Sequence, residues 1–386
     1  MNFDLPEEKA ELREHLRGFL AREVSPDDVR RWDRTDTFPR DVWRRLGDIG
    51  VLGIAYPEEY GGSGGGILDE VIVTEELGRT AAALAFGFVA TASFGGYTIS
   101  HFGTEEQRKM FLPAMASGDL ITAMALTEPE GGTDILNALR SRAQVDGGDF
   151  VINGQKIFST GSADGEWLIT VVRTDPDPPK PSLGLSVVLV PTDAAGLEIR
   201  PIEKLGMHGI KSCLIFFDDV RVPVSNLLGE RDRAWYQLVA TLNNERILIA
   251  AYCAGVARAA IDYAVGYALE RNAFGGPIGR FQAIQHPLAD SQVELEVTRT
   301  MIYKAAWLLD HGLPCAREAA VAKLHASEAA LRASLRGMQV MGGHSYMMEH
   351  DMQRYLRDCV VATTGPISNE MVRNQVAEGL GLPRSY

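Results

Sequence analysis

An α+β fold is expected, ordered along the chain as helices, a small antiparallel sheet or barrel, and helices again. Three observations predict it. Apolar residues recur at helical spacing up to about residue 119. Short β-rich segments separated by turn signals follow, and long amphipathic segments resume near residue 234. The boundaries expected are therefore 1–119, 120–233 and 234–386.

The first region reads as helical from residue 4. Pro6 opens a helix with Glu7 and Glu8 in its first turn, where the dipole favours acids. Leu12, Leu16, Phe19 and Leu20 share one face, and Val42, Leu46 and Ile49 form a second stripe ended by Gly50. A turn-rich passage, 57–66, precedes a buried helix over Leu68–Leu84. Thr104, followed three residues on by Gln107, caps the helix carrying Met110, Phe111 and Leu112. Strands are then expected at 121–126, 143–146, 150–152, 156–160, 167–173, 185–190, 197–201 and 214–217. Asp146-Gly147-Gly148-Asp149 and Asn153-Gly154 supply turns between them. From Trp235 to Gly381, three or four long helices are broken at 272–279, 311–314 and 342–344.

The net charge of −13 argues against nucleic acid as a general partner, because phosphate binding needs concentrated Lys and Arg. Hydrophobic content of 46% and charged content of 23% are those of a soluble globular chain. Cys213, Cys253, Cys315 and Cys359 lie far apart and form no CxxC pair, so neither a disulfide framework nor a metal site is expected. The acidic start, Met1-Asn2-Phe3-Asp4, has no apolar signal core, and no apolar run is long enough for a membrane span. A cytoplasmic enzyme is the expectation.

Four stretches carry residues suited to chemistry. Leu126-Thr127-Glu128-Pro129-Glu130-Gly131-Gly132-Thr133-Asp134 runs a strand into a tight turn of amides and hydroxyls. Asn153-Gly154-Gln155-Lys156-Ile157-Phe158-Ser159-Thr160-Gly161 reads as a turn joining two strands, the second presenting Phe158 and Thr160 at alternate positions. In the run from Glu270 to Gln282, Arg271 offers a fork of N–H donors and Phe274 an aromatic face. Gln339-Val340-Met341-Gly342-Gly343 is a helix stop whose glycines permit close backbone approach. Each stretch alone admits a plainer explanation: a strand-to-loop turn, a hairpin with a core Phe, a surface arginine at a helix end, a common helix terminus.

In register, the four resemble the acyl-CoA dehydrogenases, flavoenzymes that remove a proton and a hydride from adjacent carbons of a thioester. They match Thr-Glu-Pro-x-x-Gly-Ser-Asp with Thr133 for serine, and Asn-Gly-x-Lys-x-Trp-Ile-Thr-Asn with Phe158 for tryptophan. They also match Arg-x-x-Phe-Gly-x-x-Ile-x-x-Phe-Gln and Gln-x-x-Gly-Gly, and the likeness covers nearly the whole chain. The resemblance implies an N-terminal helical domain, a middle antiparallel β-domain, a C-terminal four-helix bundle, and FAD as cofactor. It implies flavin contacts from Leu126, Thr127, Phe158 and Thr160, with Thr133 and Ser368 on the pyrophosphate side. Arg271, Phe274, Gln282, Gln339 and Gly343 would serve the adenosine half, for a neighbouring subunit's flavin, in a homo-oligomer that is a dimer or a tetramer. The implied substrate is an acyl-CoA, or an acyl group on a carrier protein, met by Arg246 and Thr133. Electron-transfer flavoprotein is the implied electron acceptor.

Most of the family carry the catalytic glutamate near the C-terminus, within Tyr-Glu-Gly-Thr-Ser-Glu-Ile. Here that stretch is Gly365-Pro366-Ile367-Ser368-Asn369-Glu370-Met371, with Pro366 at the base position. Proline accepts no proton and offers no N–H to the thioester carbonyl, the contact the family's backbone amide makes at this position, and a shifted loop that offers the Ile367 N–H is one way to replace it. The isovaleryl and long-chain types place the base in a Glu-Arg pair early in a C-terminal helix, which Glu245-Arg246 matches. Read from the residues alone, Glu245 is better explained as a carboxylate suited to a helix start. Its catalytic role comes from the resemblance and from Pro366. Glu370 is a poor substitute base.

Phe86, Phe94, Tyr97 and Tyr252 are expected to wall an apolar acyl pocket. A flavin monooxygenase or nitrososynthase-like enzyme on the same fold is the competing reading, and retention of Glu245 weighs against it. A flavin-free scaffold would explain the helical ends but not four cofactor motifs in register.

Overall fold

Pro6 forms the N-cap of α1 (Glu7–Glu23), which buries Leu16, Phe19 and Leu20. The computed structural model describes residues 5–384, with side chains at all of them but Ala92 and Ser93, so the expected helical start at Asp4 lies outside the described residues. α2 (Pro26–Thr35), not foreseen from the sequence, begins in a reciprocal cap. Ser25 Oγ accepts from Asp28 N at 3.2 Å while the Asp28 carboxylate accepts from Ser25 N at 3.1 Å. α3 (Arg40–Asp48) buries Val42 and Leu46, but Ile49 falls past its last turn and is exposed, contrary to expectation.

The single helix expected over 68–84 is two. α4 (Ile67–Thr80) ends at Ala81, whose backbone is extended, and α5 (Ala82–Phe88) starts afresh after it. It continues through a π-helical segment, Val89–Gly96, into α6 (Tyr97–Phe102). α7 (Glu105–Ala116) has the expected cap: Thr104 Oγ1 accepts from Gln107 N and Gln107 Oε1 accepts from Thr104 N.

The sheet contains β1 (Thr122–Ala125), β2 (Arg142–Asp146), β3 (Asp149–Thr160), β4 (Trp167–Arg173), β5 (Leu185–Pro191), β6 (Leu197–Ile202), β7 (Ser212–Pro223) and β8 (Leu227–Leu228). A short helix, α8 (Ile135–Ala138), leads into β2. Spatial order is β6-β7-β3-β2-β4-β5-β8, with β1 paired in parallel to β4. The remaining pairings are antiparallel apart from one parallel β2–β4 contact, so the expected antiparallel sheet carries a parallel element. Gly147 and Gly148, both at positive φ, make the two-residue β2–β3 turn.

The last region is dominated by α9 (Ala234–Glu270, 37 residues). A hairpin of β9 (Asn272–Ala273) and β10 (Gly276–Pro277) leads from it to α10 (Gln282–Asp310) and α11 (Ala316–Met341). α12 (Met352–Cys359) and α13 (Asn369–Gly379) follow. α9 is apolar on nearly every face from Ile247 to Ala260, which is the composition of a helix buried all round. It is long and apolar enough to cross a bilayer, yet 83% of its most apolar window is buried inside the protein, the position of a core helix. Gly255 is required where α9 crosses α4, since a Cβ there would lie 2.2 Å from the Glu75 carbonyl oxygen.

Polar contacts tie the regions together. Arg357 Nη2 donates to Asp33 Oδ2 at 2.7 Å, and Asp358 Oδ1 accepts from the Met207 amide at 2.6 Å. Asp310, at the end of α10, caps α4 by accepting from the Ile67 and Leu68 amides. Next to this cap Glu70 is buried with no hydrogen-bond partner for its carboxyl among the described residues. Burial first, then the Asp310 and Asp69 charges, pushes it up to about 8. A carboxyl raised in this way binds its proton more tightly when folded, so its stabilising contribution is full at acid pH and lost as pH rises through about 8. Glu70→Gln should therefore lose less Tm than the native chain between about pH 6 and about pH 9. Parallel losses in a thermal melt series would refute this account of Glu70.

Candidate active site

The sheet motifs interlock through a bulge. Along β3, Phe150, Ile152 and Lys156 point inward, and strict alternation would send Phe158 inward too. Instead the pairing with β7 slips one residue between Lys156/Ile215 and Ser159/Cys213, and Phe158 sits at φ 58°. The bulge reverses the alternation, burying Ser159 and leaving Phe158 66% exposed beside Thr160. An uncovered aromatic on a strained residue fits a ring-shaped ligand laid over it. Thr160 Oγ1 shares a hydrogen bond of 2.8 Å with Ser212 Oγ.

Asn153-Gly154 is not the turn expected between two strands: β3 runs unbroken through it. The Asn153 side chain is instead paired with Asp219, its Nδ2 donating to Oδ1 at 2.8 Å and its Oδ1 accepting from the Asp219 amide at 3.1 Å. Gly154 is needed because a Cβ would meet Ser141 Cα at 2.6 Å.

The bulge is fastened to the end of β1. Ile157 N donates to Thr127 O at 2.8 Å and Ser159 Oγ to Met124 O at 2.7 Å. Lys156, fully buried, donates to Leu126 O at 3.0 Å and to Glu128 Oε1 at 2.9 Å. The Glu128 carboxylate also accepts from the Arg140 and Ser141 amides at 2.6 and 2.8 Å. Burial works to raise Glu128, but Lys156 and then Ser141 outweigh it and hold the carboxyl below its ordinary value. Both residues lie in the quoted motifs, yet sequence reading gave them no role. The readable signal was a lysine on the inward face of a strand. Leu126 and Thr127 line a small hollow with Gly131, Gly132 and Ile135, and Thr133 is exposed at its rim.

Glu245 stands eleven residues inside α9, not at its start, so the helix-dipole explanation does not apply. It is 7% exposed, and its carboxyl accepts no hydrogen bond from any described residue. Burial pushes it up to about 8, against the opposing pull of Arg246 and Lys323. Arg246 is buried as well; its Nε and the Oδ1 of Asn244 have no partner among the described residues, which leaves polar capacity for a ligand. Farther along α9, Tyr252 packs edge-to-face on Phe86 with ring centroids 4.7 Å apart and donates to Asp358 O at 3.0 Å. Phe94 and Tyr97 are half-buried on the π-helical segment and α6. Pro366 is exposed, Ser368 caps α13 by accepting from Met371 N, and the Glu370 side chain is 78% exposed.

Arg271 follows Glu245 by 26 residues on one helix, about 39 Å at the α-helical rise. There the β9–β10 hairpin turns on Phe274 and Gly275, both at positive φ, leaving Phe274 90% exposed. Among the described residues Arg271 has no ion-pair or hydrogen-bond partner for its guanidinium. Tyr267 Oη shares a 3.0 Å hydrogen bond with His344 Nδ1, so the exposed Gln339 and Gly343 share this end of the helices with Arg271 and Gln282. The implied site residues thus fall into three groups: the β1–β3 bulge, the Glu245 end of α9, and the Arg271 end.

Three family models match: acyl-CoA dehydrogenase N-terminal domain over residues 6–119, middle domain over 123–220 and C-terminal domain over 232–381. The chain is 39% identical to a probable acyl-CoA dehydrogenase YngJ of Bacillus subtilis, covering 98% of this chain and 100% of that one. It is 33% identical to the mitochondrial isovaleryl-CoA dehydrogenase of Pongo abelii, covering 96% and 88%. A glutaryl-coenzyme A dehydrogenase in its glutaryl-CoA complex superposes with a TM-score of 0.95 at 31% identity, covering 100% and 98%.

Proposed function

The chain belongs to the acyl-CoA dehydrogenase family, and we propose that Glu245 is the base with which it takes the α-proton of its acyl-CoA. The reaction is FAD-dependent dehydrogenation of an acyl-CoA to the 2-enoyl-CoA. The observation that carries the assignment is a buried carboxyl raised toward neutrality and, among the described residues, without a hydrogen-bond partner, next in sequence to Arg246 and Asn244, whose Nε and Oδ1 are likewise unpartnered there. Such a group is kept from water yet able to accept a proton near physiological pH. When bound, FAD supplies the hydride acceptor.

The remaining residues bind and orient. Leu126, Thr127, Phe158 and Thr160 are proposed to face the flavin ring, and Thr133 and Ser368 the pyrophosphate side. Arg246 and Thr133 are proposed to meet the thioester's polar portion, with Phe86 and Tyr252 walling its acyl chain. Pro366 has no N–H, so the Ile367 N–H, which has no acceptor among the described residues, is the backbone donor left for the thioester carbonyl. Mixing the flavin-loaded protein with acyl-CoAs of varied chain under argon tests the reading. Bleaching of the flavin absorbance is expected, and oxygen consumption that needs an added reductant would instead support the monooxygenase alternative.

The 39 Å between Glu245 and Arg271 (about 1.5 Å per residue) supports a site completed by a second copy of the chain. Arg271, Phe274, Gln282, Gln339 and Gly343 are all exposed, at the end remote from Glu245. We assign them to the adenosine half of a neighbour's FAD, in a dimer or a dimer of dimers. Arg271→Ala should lower flavin occupancy after dialysis while light scattering still reports the assembly. A monomer holding full FAD, or unchanged occupancy in the variant, would remove the assignment. Electron-transfer flavoprotein is proposed as the acceptor, and the four free, buried cysteines fit a reducing cytoplasm.

A further inference from the structure

Lys323, on α11, is completely buried, an uncommon place for an ammonium. Among the described residues no carboxylate lies within ion-pair distance of it. Its Nζ donates to the carbonyl oxygen of Ile367 at 2.5 Å and to Asn369 Oδ1 at 2.9 Å. The Asn369 amide donates in turn to Ser327 Oγ at 3.0 Å, which keeps its oxygen toward the cation. Lys323 therefore holds the 365–369 segment, the stretch carrying Pro366, against the helices.

The charged and titratable groups facing Lys323 are Glu245, Arg246 and the Cys253 thiol on α9, and Glu370 on α13. Burial raises the Cys253 thiol and keeps it neutral. Glu370 is in water, where its charge is screened. Glu245, in turn, is faced by Arg246 and Lys323 among the described residues. Across the tightly packed α9–α11 contact, a buried carboxyl and a buried ammonium thus interact without touching.

We propose that Lys323 is a positioning residue for the dehydrogenation: it pins the 365–369 loop and supplies the buried positive charge that draws Glu245 toward its ionised form. Its role in the reaction rests on the reading of Glu245 as the base; its effect on the charge of Glu245 does not. Burial drives Glu245 up to about 8 and Lys323 down to about 8, and each charge draws the other back toward its ionised form. Between low-dielectric helices this attraction is far stronger than in water. Removing the ammonium should leave the carboxyl protonated over a wider pH range.

Infrared difference titration of the oxidised, flavin-loaded protein tests this directly. The carboxyl stretch of Glu245 is the band lost in Glu245→Gln. In Lys323→Met that band should titrate about one pH unit or more above the native protein, about a tenfold loss of ionised base per unit. The rising limb of anaerobic flavin reduction, read per bound flavin, should move with it. Lys323→Arg keeps the charge and should keep the native titration. Asn369→Asp neutralises the ammonium without changing side-chain shape and should move the band in the same direction, which covers a Lys323→Met that fails to fold. A band that stays in place in these variants overturns the proposal and leaves the base assignment standing. A band that moves while the kinetic limb stays put overturns Glu245 as base and, with it, the part of Lys323 in the reaction.

Discussion

Glu245→Gln is expected to abolish substrate-driven bleaching of the flavin while flavin content and acyl-CoA binding stay close to native. The substitution keeps the side chain's shape and removes only its ability to accept a proton. Because the carboxyl has no hydrogen-bond partner to lose among the described residues, the packing around it on α9 should be undisturbed. Loss of a general base costs ~10²–10⁴-fold in rate. Glutamine also relieves the cost of a buried charge, so the variant should be at least as stable as the native chain above about pH 8. That separates a catalytic defect from a folding defect. Retention of more than about a tenth of the native reduction rate, set against the loss expected for a general base, would place the base elsewhere. Glu370 is the nearest carboxylate beyond Pro366, but its exposed position in the first turn of α13 makes it a poor replacement.

The order of helices, sheet and helices was legible because each region keeps one hydrophobic period over many residues. Caps written within three or four residues, such as Thr104 with Gln107, were legible for the same reason. Asn153-Gly154 misled because the same dipeptide that makes a hairpin turn also serves where Ser141 crowds a continuous strand. The outward turn of Phe158 depends on a bulge, and a bulge is set by the partner strand β7, which local sequence does not contain. Glu245 was found through the resemblance, and its depth within α9 was not, because the polar pair Asn243-Asn244 just before it reads as a helix start although α9 already begins at Ala234. Lys156 pairs with Glu128 across 28 residues and Lys323 reaches Ile367 across 44, so neither contact leaves a periodic trace.

The largest structural effect is expected at Lys156. Its ammonium is fully buried and joins the end of β1, through Leu126 O and Glu128, to the bulge that exposes Phe158. Lys156→Met would leave the Glu128 carboxylate buried with only the Arg140 and Ser141 amides to hold it. Removing one partner of a buried pair costs about 3–5 kcal/mol, because the other charge stays behind unpaired. The loosened junction between Thr127 and Ile157 should also release the flavin, since both proposed ring-facing segments meet there. A urea melt should therefore show a lowered midpoint, and the purified variant should be colourless or nearly so. Glu128→Gln in the same chain removes the orphaned charge, and the double variant should be more stable than Lys156→Met alone, a coupling that a double-mutant cycle reads directly. Additive losses in that cycle, or a Lys156→Met protein that keeps its flavin and its melting midpoint, would show that the pair is not what joins the two flavin segments.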